Sequence, residues 1–444
     1  MLRLFLLCVV LALPAPLLGQ QADGGEILTL DDALRLAVAQ NRQLRSAALE
    51  VARAEDRVEA ERTRRLPTLQ FGATGAYLPT SIDLRFEQGT FGTFPGVGPV
   101  PPQSTTISTG PGFAASLTAK VVQPLSQLFR LGISIESLEK GRAIAREDVR
   151  ARRQAVIAEV RRSYYAVLQA DSALAAAEEQ VTSYVELDRL VDRRLGEQAV
   201  LVADRLEVKA RLARARHQVL SLSNQSIGHK ERLNDLLGRD VALPFRVSPV
   251  PDLTGAEVEF GLAEARALAQ RPEVSRARLQ VARAEADLRV KRAELIPDLS
   301  LVASYLSPIT SDVLPQEIAY VGLELTWEVF DWGRKRRETE EKAKAMEQLK
   351  SLVAEATSQV SLDVRSIARQ LAESRELVTV AELGRQAARE RLRVTTNRYA
   401  EEAALLRDVL EAQAALGQAN DQYEQALLAA WTARAEFERA LGQD

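Results

Sequence analysis

The chain has 444 residues, 46% apolar and 27% charged, with 58 Lys and Arg against 61 Asp and Glu. These fractions exclude a disordered chain, and the balanced, slightly acidic charge excludes a general nucleic-acid binder. Gly (23) and Pro (17) are scarce beside Ala, Leu, Arg, Glu and Gln, the composition of long helices.

The first residues differ from the rest. Arg3 is a short positive region, Leu4 to Leu13 an apolar core, and Pro14, Ala15, Pro16 and Gly19 a turn-forming end. Residues 1–22 are expected to be a secretory signal peptide, since the apolar run falls short of the ~18 residues of a membrane anchor. The only cysteine, Cys8, lies within it. The exported chain is therefore expected to have no disulfide, no cysteine ligand or nucleophile and no lipoprotein cysteine.

Next comes an internal repeat. The segment from Ala33 to Leu69 matches that from Ala263 to Leu299 at an offset of 230, with 14 of 37 positions identical, including the run VARAE and the closing prolines Pro67 and Pro297. Later segments match at an offset of 204: Asp204, Leu206, Glu207, Ala210 and Leu212 fall on Asp408, Leu410, Glu411, Ala414 and Leu416, and Leu237-Gly238 on Leu441-Gly442. The first copy thus carries about 26 extra residues, expected in Gln88 to Gly112, where Gly, Pro, Thr and Phe read as a loop. Expected boundaries are a first copy at 23–237 (hairpin 68–123, helices 131–237), a connection at 238–262 and a second copy at 263–444 (hairpin 298–330, helices 334–441).

After each proline the pattern alternates. Leu69, Phe71, Ala73, Gly75 and Tyr77 share one face of the first strand, and Phe113, Ala115, Leu117, Ala119 and Val121 one face of the second. Leu299, Leu301, Ala303 and Tyr305 do so in the third, and Ala319, Val321, Leu323, Leu325, Trp327 and Val329 in the fourth. Four strands of about ten residues, apolar on one face and polar on the other, fit a transmembrane β-barrel or two soluble amphipathic hairpins. The export leader and the lumen candidates Lys120, Glu324 and Glu328 favour the barrel. Tyr77, Phe113, Tyr305 and Trp327 are the candidate interface aromatics. Four strands do not close a barrel, and an open edge is not tolerated in lipid, so the chain is expected to oligomerise.

Between the hairpins no proline interrupts Leu125 to Leu243, and none follows Pro315. Val156, Val160, Ser163, Val167, Ala170, Leu174, Ala177 and Val181 alternate four and three apart, a coiled-coil seam repeated as Val360, Val364, Ile367, Leu371, Ser374, Val378 and Ala381. Leu131 to Leu195 would make roughly 100 Å of helix.

The segments LTLDDALRLAVAQN (from Leu28), RRLPTLQF, AELIPDLSL, VVQPLSQLFRLG, LTWEVFDWGRKR and RYAEEAALLRDVLEAQAAL (from Arg398) resemble, in order and spacing, the TolC-like outer membrane efflux family. The resemblance implies a mainly α fold with transmembrane β: a homotrimer whose four strands per subunit complete a twelve-stranded barrel, continued by a coiled-coil barrel of long antiparallel helices. It implies location in the outer membrane of a Gram-negative bacterium, reaching into the periplasm. The implied partners are outer-membrane lipid, a periplasmic membrane-fusion adaptor and an inner-membrane transporter of RND, ABC or MFS type. Asp408 and Glu411 match the family's acidic gate and selectivity ring. Asp204 and Tyr399 match its contacts between tip helices. Ala404 stands where the family has an arginine, with Arg407 one turn on as a replacement. Gln198 and Glu402 occupy the family's turn glycines.

The expected function is a passive exit duct, with no cofactor, metal or catalytic site. A soluble periplasmic coiled-coil adaptor or scaffold is the alternative, opposed by the four long strands. An envelope enzyme finds no support, because His217 and His229 stand twelve apart without a carboxylate or cysteine set, and no phosphate loop or nucleophile elbow occurs.

Overall fold

The computed structural model describes residues 26–197, 200–249, 260–309, 315 and 317–442. The expected leader, Gln198 and much of the 238–262 connection lie outside the described residues. The first elements are β1 (Glu26–Leu28), α1 (Leu30–Gln40), α2 (Arg42–Thr63) and β2 (Thr68–Leu78). Then come β3 (Ile82–Phe86), β4 (Thr93–Phe94), β5 (Gly98–Pro99), β6 (Thr105–Thr109) and β7 (Gly112–Pro124). Two long helices follow, α3 (Gln127–Gly196) and α4 (Val202–Leu237), and then β8 (Phe245–Val247). The second half is α5 (Phe260–Gln270), α6 (Pro272–Ala293), β9 (Asp298–Pro308), β10 (Ile318–Thr326), α7 (Arg334–Ala400) and α8 (Leu406–Ala440).

The repeat survives at the level of elements. α1 and α5 both have 11 residues, α2 and α6 both 22, and β2 and β9 both 11, each pair at the same offset of 230. Two glycines show why the copies match. Gly238 sits at φ 72° where a Cβ would lie 2.7 Å from the Gln40 carbonyl oxygen, and Gly442 at φ 76° where a Cβ would lie 3.0 Å from Gln270. Each chain reversal demands a left-handed residue and the absence of a side chain.

The extra residues of the first copy are not an irregular loop. β3 pairs with β6 and β4 with β5, and Phe91 N–H donates to the Val100 carbonyl at 2.9 Å, so the β2–β7 hairpin continues as an ordered arm. Its Gly and Pro content signalled turns, and four glycines at positive φ (Gly89, Gly92, Gly96, Gly98) do supply them. The β-branched run Thr105-Thr106-Ile107 carries the ladder between them.

The chain forms two compact units, and α3, α7 and α8 contribute to both. The first comprises the residues up to Asn41, Val156–Glu257 and Gln370–Glu436. In it β1 pairs in parallel with β8, and the buried Tyr164 hydroxyl lies 2.9 Å from the Leu28 carbonyl and 2.7 Å from that of Ser248, a donor shared between the ends of both strands. Burial pushes this phenol up to about 12, so it remains a donor at neutral pH. Tyr184, Leu187 and Val191 of α3, Val208 and Leu212 of α4, Tyr399 of α7, and Leu406, Val409 and Leu410 of α8 form an apolar cluster.

The second unit comprises Arg42–Ala155, Val258–Arg369 and Phe437–Asp444. It holds one antiparallel sheet in the order β10-β9-β7-β2. Ion pairs join its helices: Arg62 to Glu139 (2.6 Å) from α2 to α3, Arg289 to Glu136 (2.7 Å) from α6 to α3, and Lys291 to Glu338 (2.8 Å) from α6 to α7. Small residues such as Ala286 and Ala293 pack beneath them on Ile133.

Candidate functional site

The sheet separates its residues as the alternation predicts. Leu69 pairs with Val121, Phe71 with Ala119, Ala73 with Leu117 and Tyr77 with Phe113. In the second hairpin Leu323 pairs with Leu301 and Leu325 with Leu299. This face is bare: Phe71 is 78% exposed and Val321 74%. Soluble monomers rarely expose a contiguous apolar face, and one such as this marks a surface for a partner or for lipid. The opposite face sets Gln70 against Lys120 and Thr74 against Ser116, and Lys120 Nζ reaches Glu324 Oε2 at 3.2 Å. Val122, Val302 and Leu306 interrupt it.

β2 and β10 are the two edges of the sheet, each hydrogen-bonded on one side only. Neither has the charges, proline or bulge with which proteins blunt a free edge, apart from the inward-paired Glu324.

The aromatics are distributed unevenly. Tyr77 and Phe113 face each other at the far end of β2–β7. Tyr305 sits three residues from the end of β9, in register with Ala119 in the body of β7. Trp327 lies one residue past β10, which ends at Thr326, so Trp327 and Val329 are outside the ladder expected to run to them. The reason is the turn into α7: Trp332 (φ 58°) and Gly333 (φ 80°) take consecutive left-handed conformations. Asp331 caps that turn, its carboxylate accepting from Gly333 N–H at 3.0 Å and Lys335 N–H at 2.9 Å. These bonds, Lys335 first, hold its carboxyl below the usual range. Trp332, which the sequence places with Gly333 at the strand-to-helix bend, is exposed and packs edge-to-face on Phe330 at 4.7 Å, a partner that sequence reading missed. Its signal was the aromatic spacing of the run WEVFDW.

The second site is the tip, where α3 turns into α4 and α7 into α8. Asp204 and Asp408, equivalent in the repeat, play equivalent parts. Each carboxylate accepts the N–H three residues earlier, from Leu201 at 3.0 Å and Leu405 at 3.1 Å. Both close the first turn of a helix. Glu411 is exposed, with Arg407 3.7 Å away. Asp204, Tyr399 and Arg407 line one hollow of about 480 Å³ with Arg194, Val200 and Glu402. The Tyr399 ring is buried under the Arg194 guanidinium at 4.5 Å, and Arg194 also donates to the Tyr399 carbonyl at 3.0 Å. The Tyr399 hydroxyl has no hydrogen-bond partner among the described residues. Arg194 is the tip residue that sequence reading missed, since nothing in RRLG distinguishes it from its neighbours. Glu402 takes the turn glycine's place at φ 63°, and Ala403 N–H closes the turn on the Arg398 carbonyl at 2.8 Å.

An open, lipid-type sheet on duplicated hairpins of 70- and 67-residue helices defines a class. The chain belongs to the outer membrane efflux protein family, whose model matches residues 33–239 and 265–443. It is 29% identical over 286 residues to the pyoverdine export outer membrane protein OpmQ of Pseudomonas aeruginosa; the match spans 61% of this chain and 58% of OpmQ. The fold is that of the CmeC outer membrane channel of Campylobacter jejuni (TM-score 0.76, 15% identity, 98% of this chain and 93% of CmeC). It is equally that of VceC from Vibrio cholerae (TM-score 0.74, 15% identity, 93% of this chain and 96% of VceC). Among the described residues no helix is long and apolar enough to cross a membrane.

Proposed function

We propose that the chain is one subunit of a homotrimeric exit duct that spans the outer membrane of a Gram-negative bacterium and reaches into its periplasm. Residues 1–22 would be the export leader, 23–237 and 263–444 the two copies, and 238–262 their connection. The observation that carries this reading is the sheet: one face apolar and exposed, the other polar, both edges unpaired. Lipid covers the first face, water the second, and further copies the edges. Three copies of four strands make twelve, a number within the range of such barrels.

The duct is passive and catalyses no reaction. A periplasmic adaptor and an inner-membrane transporter supply direction and energy. OpmQ is named for pyoverdine export; for this chain the proposal extends to export through the outer membrane and not to that cargo. Asp408 and Glu411, three apart on α8, place six carboxylates around a threefold mouth, a ring that favours cations. Tyr77, Phe113, Tyr305 and Trp327 lie at the lipid interfaces. Tyr399 offers its hydroxyl, with Asp204 and Arg407, to tip contacts that hold the mouth closed.

Single-channel recording in planar bilayers tests the assignment. The wild type is expected to give small cation-selective currents, and Asp408→Asn/Glu411→Gln to lose selectivity. Currents unchanged by the substitutions would remove the mouth assignment and leave the duct.

A further inference from the structure

α3 and α8 run antiparallel, and their contacts step along in register. Tyr165 stacks on Trp431 at 5.5 Å, Ser172 donates to Glu424 at 2.8 Å, Gln180 lies against Gly417, and Leu187 and Val409 join the apolar cluster. The joint is therefore apolar at both ends and polar between. On α8 the polar stretch falls on Gln413, Gly417, Asn420 and Glu424, alternating four and three apart, the positions that a coiled coil fills with apolar residues.

The polar stretch is not closed. A cavity of about 90 Å³ lies among Ala176, Gln180 and Ser183 of α3 and Gln413, Gly417 and Asn420 of α8. Gln413 is 4% exposed, and its Oε1 has no hydrogen-bond partner among the described residues. A buried amide oxygen left unpaired is costly, and a polar cavity of this size takes up water that satisfies it.

Glu424 stands one turn above, 7% exposed. From α3 it receives the Ser172 hydroxyl; the neighbouring Asp171 is engaged by Lys230 at 3.0 Å and by Ser226. From α7 it faces Arg385, whose guanidinium is shared with the Tyr423 ring (3.9 Å) and Glu382 (2.6 Å). On α8 itself Asp421 adds a like charge. Burial holds the Glu424 carboxyl above its usual range; Ser172 and Arg385 oppose this, and Asp421 adds to it. A carboxyl raised in the folded state keeps a proton that the unfolded chain releases. The joint therefore gains stability as pH falls through the raised value and loses it as pH rises.

We propose that the α3–α8 joint is a water-filled seam that tightens when Glu424 takes up a proton, making the tip of the duct acid-closed. The seam stands on the single chain; its effect on current rests on the duct reading.

Amide hydrogen exchange on the full-length protein, corrected for intrinsic rates, tests it between about pH 7 and about pH 5. Peptides covering 413–424 and 172–183 are expected to gain protection at the lower pH, the direction that a raised carboxyl gives. E424Q, which mimics the neutral acid, should be protected at both pH values, and E347Q, at an exposed acid on α7 outside the seam and the mouth, should behave as the wild type. Bilayer currents should fall on acidification in the wild type and not in E424Q. If E424Q fails to fold, Ser172→Ala removes a bond to the charged form and should move the response to higher pH. Equal pH responses in wild type and E424Q, or an unmoved midpoint in Ser172→Ala, would overturn the proposal. Exchange as expected without any current would sink the duct and keep the seam; current with no exchange response would do the reverse.

Discussion

Backbone conformation decides the most consequential single residues. Gly238 has no substitute: alanine would meet the Gln40 carbonyl at 2.7 Å in a left-handed conformation. Gly238→Ala is expected to cost about 2 kcal/mol or more in chemical denaturation. Glu402 is the opposite case, a left-handed residue carrying a side chain. Glu402→Gly should raise stability by about 1 kcal/mol, because glycine adopts that conformation without strain. The mouth acids also divide at this scale. Asp408 caps its own helix while Glu411 is free of backbone, so Asp408→Ala should lower the denaturation midpoint, by about 1 kcal/mol in stability, and Glu411→Ala should leave it unchanged. Periodicity placed both acids on one face. It did not show that one was engaged at a cap, because that depends on where the turn ends.

At the scale of elements, strand alternation was legible because a side-chain period of two fixes which face every residue takes. The apolar partners expected on one face, such as Phe71 with Ala119 or Leu323 with Leu301, pair there, while Ile318 with Leu306 lies on the opposite face. Leu323→Arg on the apolar face is therefore expected to cost about 2–4 kcal/mol per copy and to deplete the protein from the outer-membrane fraction, whereas Thr74→Arg on the polar face should still assemble. Equal depletion of both variants would refute the assignment of faces. The ends of elements were less legible. β10 stops at Thr326 because the chain must turn at Trp332 and Gly333, and the alternation of Trp327 and Val329 outlasts the ladder. The arm beyond β2 and β7 reads as a loop in sequence because its glycines and prolines mark turns without telling which residues between them pair. The tip hollow was half legible: Asp204, Tyr399 and Arg407 do line it, but Arg194, which holds the tyrosine, comes from a helix 205 residues away in sequence.

For the whole molecule, duplication is the organising fact. Two copies of helix, hairpin and long helical pair give a sheet of four strands with two bare edges, and that sheet is incomplete alone. The most direct test of the proposed closure is disulfide cross-linking between copies. Thr74→Cys on β2 would be combined in turn with cysteine at Tyr320, Gly322 or Glu324 on β10, all on the polar face. Oxidised outer membranes should then show dimers and trimers for at least one pair, with nothing larger, since a closed ring of three leaves no free edge. A monomer at every pair, or a ladder running past the trimer, would contradict the twelve-stranded barrel.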